Sequence, residues 1–490
     1  MATPSIRSLV RETAVYGMST VIARSMGLIL LPVLTNLLLP EEYGHLKLTY
    51  TLVAFLQLFF IFGMGSSLVR YLIGAKDKVE MFSTHFWPLL AVSTVGAVAV
   101  WLGAEPIAAA YFAEPLPGDS SLVALAGALL WLDSVNTLAY SYLRAENRPF
   151  MFMAGILSSI AVYGTLAVYL LAWRSAGMSG VLAANIAGSA TAVIIFLPIF
   201  LRMLRPVFNR KAFTVYFSFG FPIIFSGLGK IVLDMAARII LDRLKGAQVV
   251  AFFSTGYQLA AVANLAVAAF TLAWKPFLVR AADSPDSGRV YARVMTFSMV
   301  ILCGLFLAVS LFADDLVRLS FFGYRLIHQD YWEGLKVIPP VMASYILFGA
   351  YINFTVGCDL TGRTRYYAWT TGAAAVFNVA ANLVLIPAWG MMGAAWATLF
   401  SYLIQAVSLY FLVRRIYPVR YEWGKLAGLG FITAGCYSAA RLAGPSPWLE
   451  GLFVLIFTAL LFAARILDPG VLRALRSTLP GVKNKQDDGR

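Results

Sequence analysis

The chain has 490 residues, of which 60% are hydrophobic and 13% are charged, and its mean hydropathy is +0.77. Soluble domains carry about 25% charged residues, so this composition excludes an ordinary soluble protein and indicates a chain that crosses a membrane many times. The formal net charge of +14 does not indicate nucleic-acid binding, because the basic residues lie in short segments between apolar stretches.

Apolar segments of roughly 20 residues recur along the whole chain, and such a segment is long enough to cross a bilayer as a helix. They predict an all-α polytopic membrane protein with about 14 transmembrane helices. The segments run about 14–39, 46–70, 83–103, 121–143, 150–173, 179–201, 213–241, 248–273, 293–313, 336–358, 366–388, 390–413, 425–442 and 448–467.

The distribution of basic residues predicts the orientation of these segments. Most of the 38 lysines and arginines lie on the same side as the N-terminus, and few, Lys47 among them, lie on the other side. Because basic residues are retained in the cytoplasm, we expect both termini to be cytoplasmic. We expect the protein to lie in the bacterial cytoplasmic (inner) membrane, with the lipid bilayer as its immediate partner.

An internal repeat divides the chain. Residues 177–185 (GMSGVLAAN) resemble residues 390–398 (GMMGAAWAT), and a tryptophan, Trp173 or Trp389, precedes each stretch. A unit of six helices has the same orientation in both copies, which predicts two parallel six-helix lobes with a substrate site between them. The predicted units are 1–210 (N-terminal lobe), 211–415 (C-terminal lobe), 416–468 (two extra C-terminal helices) and 469–490 (a basic cytoplasmic tail).

A polar stripe interrupts the apolar segment 213–241. Ser226, Lys230, Asp234 and Arg238 are spaced by four, so on a helix they share one slightly drifting face. An ionised group near the middle of a membrane costs roughly 2.5–3.5 kcal/mol on insertion scales. The stripe is therefore predicted to face a water-filled cavity or a protein partner.

A second charged position, Arg24, lies midway along the segment 14–39. Its helical face is otherwise small or polar and carries Thr13, Gly17, Thr20 and Gly27. We predict that this face and the stripe line one cavity that binds an anion, with Arg24, Lys230 and Arg238 as its cations.

Three cations and one carboxylate leave about two positive charges, which suits a diphosphate, since arginine binds phosphate bidentately and lysine as a point charge. Two structural alternatives stay open. Arg24 could be satisfied by main-chain carbonyls, and the stripe could be an ion-pair chain inside the helix bundle. Asp234 is a candidate for a switch coupled to a proton or a sodium ion, or else a salt-bridge partner.

Other polar side chains within apolar segments are weaker candidates. Asp133 and Asn136 lie on nearly one helical face, where they would line the lower cavity or cap contacts between helices. Asn264, Asn378 and Asn382 are intramembrane amides, which bind substrate in some proteins and join helices in others.

The sequence contains no pattern of an enzyme or of a cofactor site. The cysteines Cys303, Cys358 and Cys436 fall in or at the ends of apolar segments, and the three histidines lack metal-binding spacing. Phosphate-binding loops, nucleotide fingerprints and nucleophile elbows are not found. We therefore expect no metal, no cofactor and no ATP hydrolysis, so that an ion gradient, the membrane potential or consumption of the product drives any transport.

The stretch 378–398, NVAANLVLIPAWGMMGAAWAT, resembles the signature N-x3-N-x2-LIP-x-x-G-x-x-GAA-x-AT of polysaccharide flippases. These proteins belong to the multidrug/oligosaccharidyl-lipid/polysaccharide exporter superfamily. The stretches 13–17 (TAVYG), 42–44 (EYG) and 274–277 (WKPF) are similar to the same family. Relatives often carry an Asp-Arg pair where this chain has Ala237 before Arg238, and its acid, Asp234, lies one turn earlier.

The resemblance implies a Wzx-type flippase that moves polyprenyl-diphosphate-linked oligosaccharides to the outer leaflet by alternating access. It implies a role in the biosynthesis of an O-antigen or exopolysaccharide, together with glycan polymerase or assembly enzymes. One alternative keeps the fold but exports lipid II or drugs. A distant alternative is a membrane glycan polymerase or ligase, whose candidate loop, 314–335, carries Asp314, Asp315, Arg318, Arg325 and Asp330.

Overall fold

A computed structural model describes residues 6–282, 285–321, 323–444 and 446–467 of the chain. The predicted basic tail, 469–490, lies outside the described residues. The described part consists of α-helices, one 3₁₀ helix (Gln329–Val337) and a short antiparallel hairpin of β1 (Ser320–Phe321) and β2 (Tyr324–Arg325).

The α-helices follow one another with short connections. They are α1 (Ile6–Leu37), α2 (Pro40–Ile61), α3 (Met64–Leu72), α4 (Lys78–Leu102), α5 (Ala104–Tyr111), α6 (Asp119–Ala145), α7 (Pro149–Ala172), α8 (Gly177–Met203), α9 (Arg210–Lys245), α10 (Ala247–Ala281), α11 (Ser287–Arg318), α12 (Ile338–Phe354), α13 (Val356–Thr361), α14 (Arg365–Val413), α15 (Trp423–Ala443) and α16 (Pro447–Ala463).

The helices have the length and composition of membrane spans. Within the described residues, 11 helical stretches are long and apolar enough to cross a bilayer. The prediction of an all-α, multi-pass membrane protein is confirmed, whereas the number of about 14 spans stays a prediction. The predicted segments 366–388 and 390–413 correspond to two helices that meet at Gly390, where the backbone is non-helical (φ 52°, ψ −132°), and we refer to the pair as α14.

The second predicted segment, 46–70, has the wrong boundaries. Helix α2 begins at Pro40, whose fixed φ suits a first helical turn, and the Glu42 carboxylate accepts a hydrogen bond from the Leu39 N–H at 3.0 Å. Lys47 therefore lies half-buried two turns into this helix, which starts a turn and a half before the predicted segment does.

Helix α2 ends where the backbone turns left-handed at Gly63 (φ 76°), and α3 continues after this break. A Cβ atom on Gly63 would clash with the main-chain carbonyl of Gly220 in α9. Only glycine suits both the positive φ and this close approach. The break thus brings the first and second halves of the chain into direct backbone contact.

The helices pack in two main groups. In the first, α6 packs on α2, α3, α4 and α8, and α7 packs on α1 and α8. In the second, α14 packs on α9 and α12, while α11 packs on α10 and α12 and also holds α15 and α16. Helices α9 and α10 join the groups: α10 packs on α1 and α2, and α9 packs on α2, α3 and α4. The domain boundaries at 210 and 415 stay predictions.

The two copies of the repeat share a backbone feature. Gly177 begins α8 with φ 56°, and Gly390 divides α14 with φ 52°. Three residues later, Gly180 and Gly393 are crowded, so that a side chain at either position would clash with its own helix–turn–helix unit. The glycines of the repeated motif therefore allow the same tight reversal in both groups.

The helix bundle has two ends. We call the end with the α1–α2 connection the Leu39 end and the end with the α3–α4 connection the Gly74 end. The positive-inside pattern predicts that the Gly74 end faces the cytoplasm, and this orientation stays a prediction.

The two groups are tightly joined at the Leu39 end. A Cβ atom on Gly44 of α2 would clash with the carbonyl oxygen of Ala247, the first residue of α10. The buried Tyr331 hydroxyl of the 3₁₀ helix donates to the Leu38 carbonyl oxygen at 2.9 Å. These contacts close the bundle at the Leu39 end.

Candidate functional site

A cavity of about 1190 Å³ lies between α1, α9, α10, α12 and α14. It extends from the middle of the bundle toward the α13–α14 connection, which is at the Gly74 end. The polar residues that line it are Arg24, Lys230, Asp234, Gln258, Asn264, Tyr351, Thr364, Tyr367, Thr371, Tyr402 and Gln405.

Arg24 projects from α1 into this cavity, where its side chain is exposed. Gly27, one turn further, also lines the cavity and lies close to α10. A Cβ atom at Gly27 would stand 2.7 Å from Nε2 of Gln258. The absent side chain therefore allows the arginine-bearing helix to approach α10.

The other predicted members of the Arg24 face are not among the residues that line the cavity. Gly17 lies against the Leu272 side chain of α10, which explains a small residue there by packing. The Thr20 hydroxyl donates to the Tyr16 carbonyl oxygen of its own helix at 2.9 Å. The side chain of Thr13 lies outside the described residues.

Helix α9 supplies the second cation. Lys230 and Asp234, one turn apart, both line the cavity, and Lys230 is exposed in it. The Tyr402 hydroxyl of α14 donates to Oδ1 of Asp234 at 3.0 Å. Lys230 and Asp234 are therefore the part of the stripe that forms the cavity wall. The side chain of Ser226 lies outside the described residues.

Arg238, the next residue of the stripe, packs behind the cavity. Its guanidinium donates to the Asp234 carbonyl oxygen at 2.9 Å and to the Ser254 hydroxyl at 3.3 Å. It also lies 5.1 Å from the centre of the Tyr257 ring. Arg238 thus joins α9 to α10, and its positive charge acts on the Asp234 carboxylate from behind the cavity wall.

The charges of this site act on one another without forming ion pairs. The positive charges of Lys230, Arg238 and Arg24 all act on the Asp234 carboxylate. Yet none of the ion pairs found among the described residues includes Arg24 or Lys230. Two unpaired cations and one carboxylate give the wall a net positive charge, which favours an anionic ligand.

A cluster on the Leu39 side of the cavity was missed by sequence reasoning. Lys47 Nζ donates to Gln258 Oε1 at 2.8 Å, and the Tyr43 hydroxyl donates to the same oxygen at 3.3 Å. Lys47 also lies 4.7 Å from the centre of the Tyr43 ring. Because Gln258 lines the cavity, this cluster separates the cavity from the Leu39 end.

The three candidate asparagines lie in different places. Asn264 lines the cavity, but Asn378 and Asn382 are fully buried within α14 and do not belong to its lining. Asn378 Nδ2 donates to the Ser401 hydroxyl at 3.1 Å, and Asn382 Nδ2 donates to Asn378 Oδ1 at 2.9 Å. These bonds tie together the two halves of α14.

Asp133 and Asn136 line a separate cavity of about 380 Å³ within the first group of helices. They do not line the cavity that contains Arg24 and Lys230.

The uncharged polar wall of the larger cavity was also missed. Tyr351, Tyr367 and Gln405 line it beside the charged residues, and Gln405 Nε2 donates to the Thr371 hydroxyl at 2.9 Å. Hydroxyl and amide groups of this kind bind sugar hydroxyls. No spacing distinguishes them in sequence from tyrosines and glutamines of an ordinary bundle interior.

The charged residues of the 314–335 loop are engaged in packing contacts. Asp314 pairs with Arg441 of α15 at 2.9 Å. The guanidinium groups of Arg318 and Arg325 lie 5.5 and 5.3 Å from the centre of the Trp332 ring. These contacts give the loop's arginines a structural role and do not favour the polymerase or ligase alternative.

The overall fold is similar to that of solved membrane transporters. A structure of the lipid II flippase MurJ in an inward closed conformation superimposes with a TM-score of 0.73 and 13% identity, over 92% of this chain and 99% of that one. An inward-facing multidrug resistance MATE family transporter of the MOP superfamily gives a TM-score of 0.62 and 15% identity, over 83% and 95%. These likenesses show the fold.

Sequence comparison places the chain in a family. It is 29% identical over 136 residues to the succinoglycan biosynthesis transport protein ExoT of Rhizobium meliloti (strain 1021). That match spans 28% of this chain and only 25% of the relative. The profile of the polysaccharide biosynthesis protein family matches residues 9–282, more than half of the chain. The chain therefore belongs to the polysaccharide biosynthesis protein family.

Proposed function

We propose that this protein is a flippase that moves a polyprenyl-diphosphate-linked oligosaccharide across the bacterial inner membrane by alternating access. One observation carries the proposal: Arg24 and Lys230 line a large cavity within the membrane-spanning bundle, and neither takes part in a described ion pair. Charged groups are costly at this depth, so their retention calls for a ligand of opposite charge.

The cavity matches the parts of such a lipid. Arg24 would bind the diphosphate through paired hydrogen bonds and Lys230 as a point charge. Asp234, held by Tyr402, reduces the positive surplus, which keeps the headgroup from binding too tightly to be released. The uncharged wall around Tyr367 and Gln405 would take the sugars. The polyprenyl chain would stay in the bilayer.

The two ends differ in how far the cavity reaches, although the groups of helices touch in the Gly74 half too, where Gly17 packs on Leu272 and Gly63 on Gly220. Loading from that end would require these contacts to open. The cavity reaches the α13–α14 connection at the Gly74 end, which the charge pattern predicts to be cytoplasmic. The Leu39 end is closed by the contact of Gly44 with Ala247 and by the bond from Lys47 to Gln258. Release to the outer leaflet would require α2 to separate from α10. Polymerase or assembly enzymes that consume the glycan would then act downstream.

The test is a flipping assay in proteoliposomes with a fluorescent polyprenyl-diphosphate oligosaccharide. We expect wild-type protein to flip this lipid, and Arg24→Gln and Lys230→Gln to reduce the rate by about tenfold each, since a charge-assisted hydrogen bond is worth about 1.5–3 kcal/mol. Arg414→Gln is the matched control, because Arg414 is exposed at the end of α14, 4.9 Å from the centre of the Phe411 ring and away from the cavity lining. Equal rates in all four proteins would refute the proposed cavity.

A second cargo deserves its own arm of the assay, because the fold is similar to that of the lipid II flippase MurJ. Lipid II also carries a diphosphate, so the charged residues alone do not separate the two cargoes. Faster flipping of lipid II than of the oligosaccharide lipid would favour that alternative. A multidrug exporter of cationic compounds is disfavoured by the positive wall of the cavity.

A further inference from the structure

The smaller cavity, of about 380 Å³, has a composition opposite to that of the larger one. It lies between α1, α2, α6, α7 and α8, and its polar lining consists of Gln57, Asp133, Asn136, Thr137, Tyr140, Ser159 and Ser189. No lysine, arginine or histidine is among the described residues that line it. Its one charged group is therefore a carboxylate without a cation in the same wall.

The carboxylate of Asp133 is held by one neighbour. The Ser189 hydroxyl of α8 donates to Oδ1 at 2.6 Å. No hydrogen bond to the second oxygen, Oδ2, is found from the described residues. This leaves at least one oxygen of the carboxylate available to a ligand in the cavity.

Asn136 presents a second oxygen, and its orientation is fixed by chemistry. Nδ2 donates to the main-chain carbonyl oxygen of Ser189 at 2.9 Å. A carbonyl oxygen accepts and never donates, so the amide nitrogen must be on that side. Oδ1 then points the other way, and it is buried with no hydrogen-bond partner among the described residues. The whole side chain is only 4% exposed.

Gln57 of α2 presents a third oxygen by the same logic. Its Nε2 donates to the Ser134 hydroxyl at 3.2 Å, and that hydroxyl already gives its own proton to the Leu130 carbonyl oxygen at 2.7 Å. The serine oxygen can only accept from Gln57, which fixes the amide orientation. Oε1 of Gln57 is buried, and the described chain offers it no donor.

The residues that carry this carboxylate and these two amide oxygens thus line one small cavity, and no donor among the described residues reaches either amide oxygen. Buried acceptors without donors are rare in folded proteins and are normally satisfied by a bound water or ion. Oxygen ligands are those that hard cations prefer, and calcium sites usually contain several carboxylates. We propose that Asp133, Asn136 and Gln57 form a binding site for one monovalent cation of the sodium class.

The site has a direct mechanical connection to the Leu39 end. Helix α2 carries Gln57 at the cation site, and the same helix carries Gly44 and Lys47 at the closure against α10. A cation shared between Gln57 of α2 and Asp133 of α6 holds α2 against the first group of helices. Cation binding therefore favours separation of α2 from α10. This role in transport rests on the proposed flippase function, whereas the binding site itself does not.

The binding test needs no lipid substrate. Equilibrium binding of radioactive sodium is measured on the purified full-length protein in detergent, with choline replacing sodium at constant ionic strength. We expect saturable binding near one ion per chain. In Asp133→Asn the affinity for sodium should fall at least about tenfold, because losing a group that helps to hold a metal ion typically costs about 10–100-fold in affinity. Gln57→Leu tests the site from a second helix, with a weakening of about threefold or more.

Glu450→Gln is the matched control, since Glu450 of α16 is another buried carboxyl group and lines neither cavity, and this variant should bind sodium like wild type. Thermal unfolding in choline checks that each variant is folded. Absence of saturable binding to the wild type, or unchanged binding in both Asp133→Asn and Gln57→Leu, overturns the proposal. A site that takes up a proton but is insensitive to sodium also overturns it.

Measuring lipid flipping as well as sodium binding distinguishes a failure of the cation site from a failure of the proposed flippase function. If sodium binds as expected but no lipid is flipped under any gradient, the flippase function fails and the cation site stands. If lipid is flipped at the same rate with sodium and with choline, and sodium binding is absent, the cation site fails and the flippase function stands.

Discussion

Each of the two cavities contains one carboxylate, and the charged groups around that carboxylate differ between the cavities. Asp234 is bonded to Tyr402 and lies among the charges of Lys230, Arg24 and Arg238. Asp133 is bonded to Ser189 in a wall that, as described, contains no cation. In the proposed account, the first carboxylate moderates an anion site, whereas the second anchors a cation site.

Size separates the two cavities as clearly as charge does. The cavity of about 1190 Å³ can hold a diphosphate and sugar units, while the cavity of about 380 Å³ suits an ion with its remaining water. The larger one lies where helices of both groups meet, and the smaller lies within the first group. The proposed cargo site thus lies between the two groups of helices, and the proposed cation site lies within one of them.

The largest effect is expected when the charge of the larger cavity is reversed and the smaller cavity is left unchanged. We expect Arg24→Glu with Lys230→Glu to reduce lipid flipping by at least about 100-fold, because two charge-assisted contacts of about 1.5–3 kcal/mol each become repulsive. Sodium binding should be unchanged, because the small cavity shares no lining residue with the large one. Rapid flipping by a folded double variant would contradict the anion site.

A stability effect is expected at the buried asparagine pair. Asn382→Leu leaves Asn378 Oδ1 buried without its donor, so we expect a loss of about 1–3 kcal/mol in the free energy of unfolding. Transport per folded molecule should not change, since neither residue lines a cavity described here. Denaturant titration in micelles measures the first quantity. Asn264→Leu is the control, because Asn264 lines the cavity and should affect transport more than stability.

Removing the negative charge of Asp234 should tighten the binding of the diphosphate lipid. Asp234→Asn keeps an acceptor for Tyr402 but removes a negative charge, so we expect about fivefold tighter binding of the diphosphate lipid, equivalent to about 1 kcal/mol. Slower release should lower the turnover rate at the same time. Binding titration and the flipping rate are measured together, with Asp133→Asn as the comparison that should leave lipid affinity unchanged. Weaker lipid binding by Asp234→Asn would show that this carboxylate does not moderate the site.

The smallest expected effect concerns the closure at the Leu39 end. Lys47→Met removes one hydrogen bond to Gln258, so we expect amide protons of residues 36–46 to exchange about threefold faster, for a net bond worth about 0.5–1.5 kcal/mol. Hydrogen exchange with mass spectrometry detects this change. Lys245→Met is the control: Lys245 bonds Pro387 at the same end, but within the second group of helices. Equal exchange in both variants would show that Lys47 does not hold the closure.

Much of the architecture follows from the sequence because a bilayer restricts what a chain can do. Apolar segments must be helical there, and a spacing of four places Lys230 and Asp234 on one wall of a helix. The cost of burying a charge directed attention to Arg24, which lines the larger cavity. The glycines at 177 and 390 marked two reversals with the same positive φ.

Other features depend on packing between distant helices, which a single sequence does not encode visibly. The sequence places Lys47 near the end of a helix, but its bond to Gln258 of α10 is evident only in the packed bundle. Arg238 has the spacing of a cavity residue, yet it turns toward Ser254 and Tyr257 behind the wall. The unsatisfied oxygen of Gln57 is evident only once its amide nitrogen is placed on a serine of another helix.

The most direct test of the central claim compares two synthetic glycolipids in proteoliposomes. They carry the same labelled oligosaccharide and polyprenyl chain, joined by a diphosphate in one and by an uncharged linker in the other. The account predicts that wild type flips the diphosphate lipid at least about tenfold faster, and that Arg24→Gln with Lys230→Gln loses this preference. Equal rates for the two lipids in wild type, or an undiminished preference in the folded double variant, would contradict it.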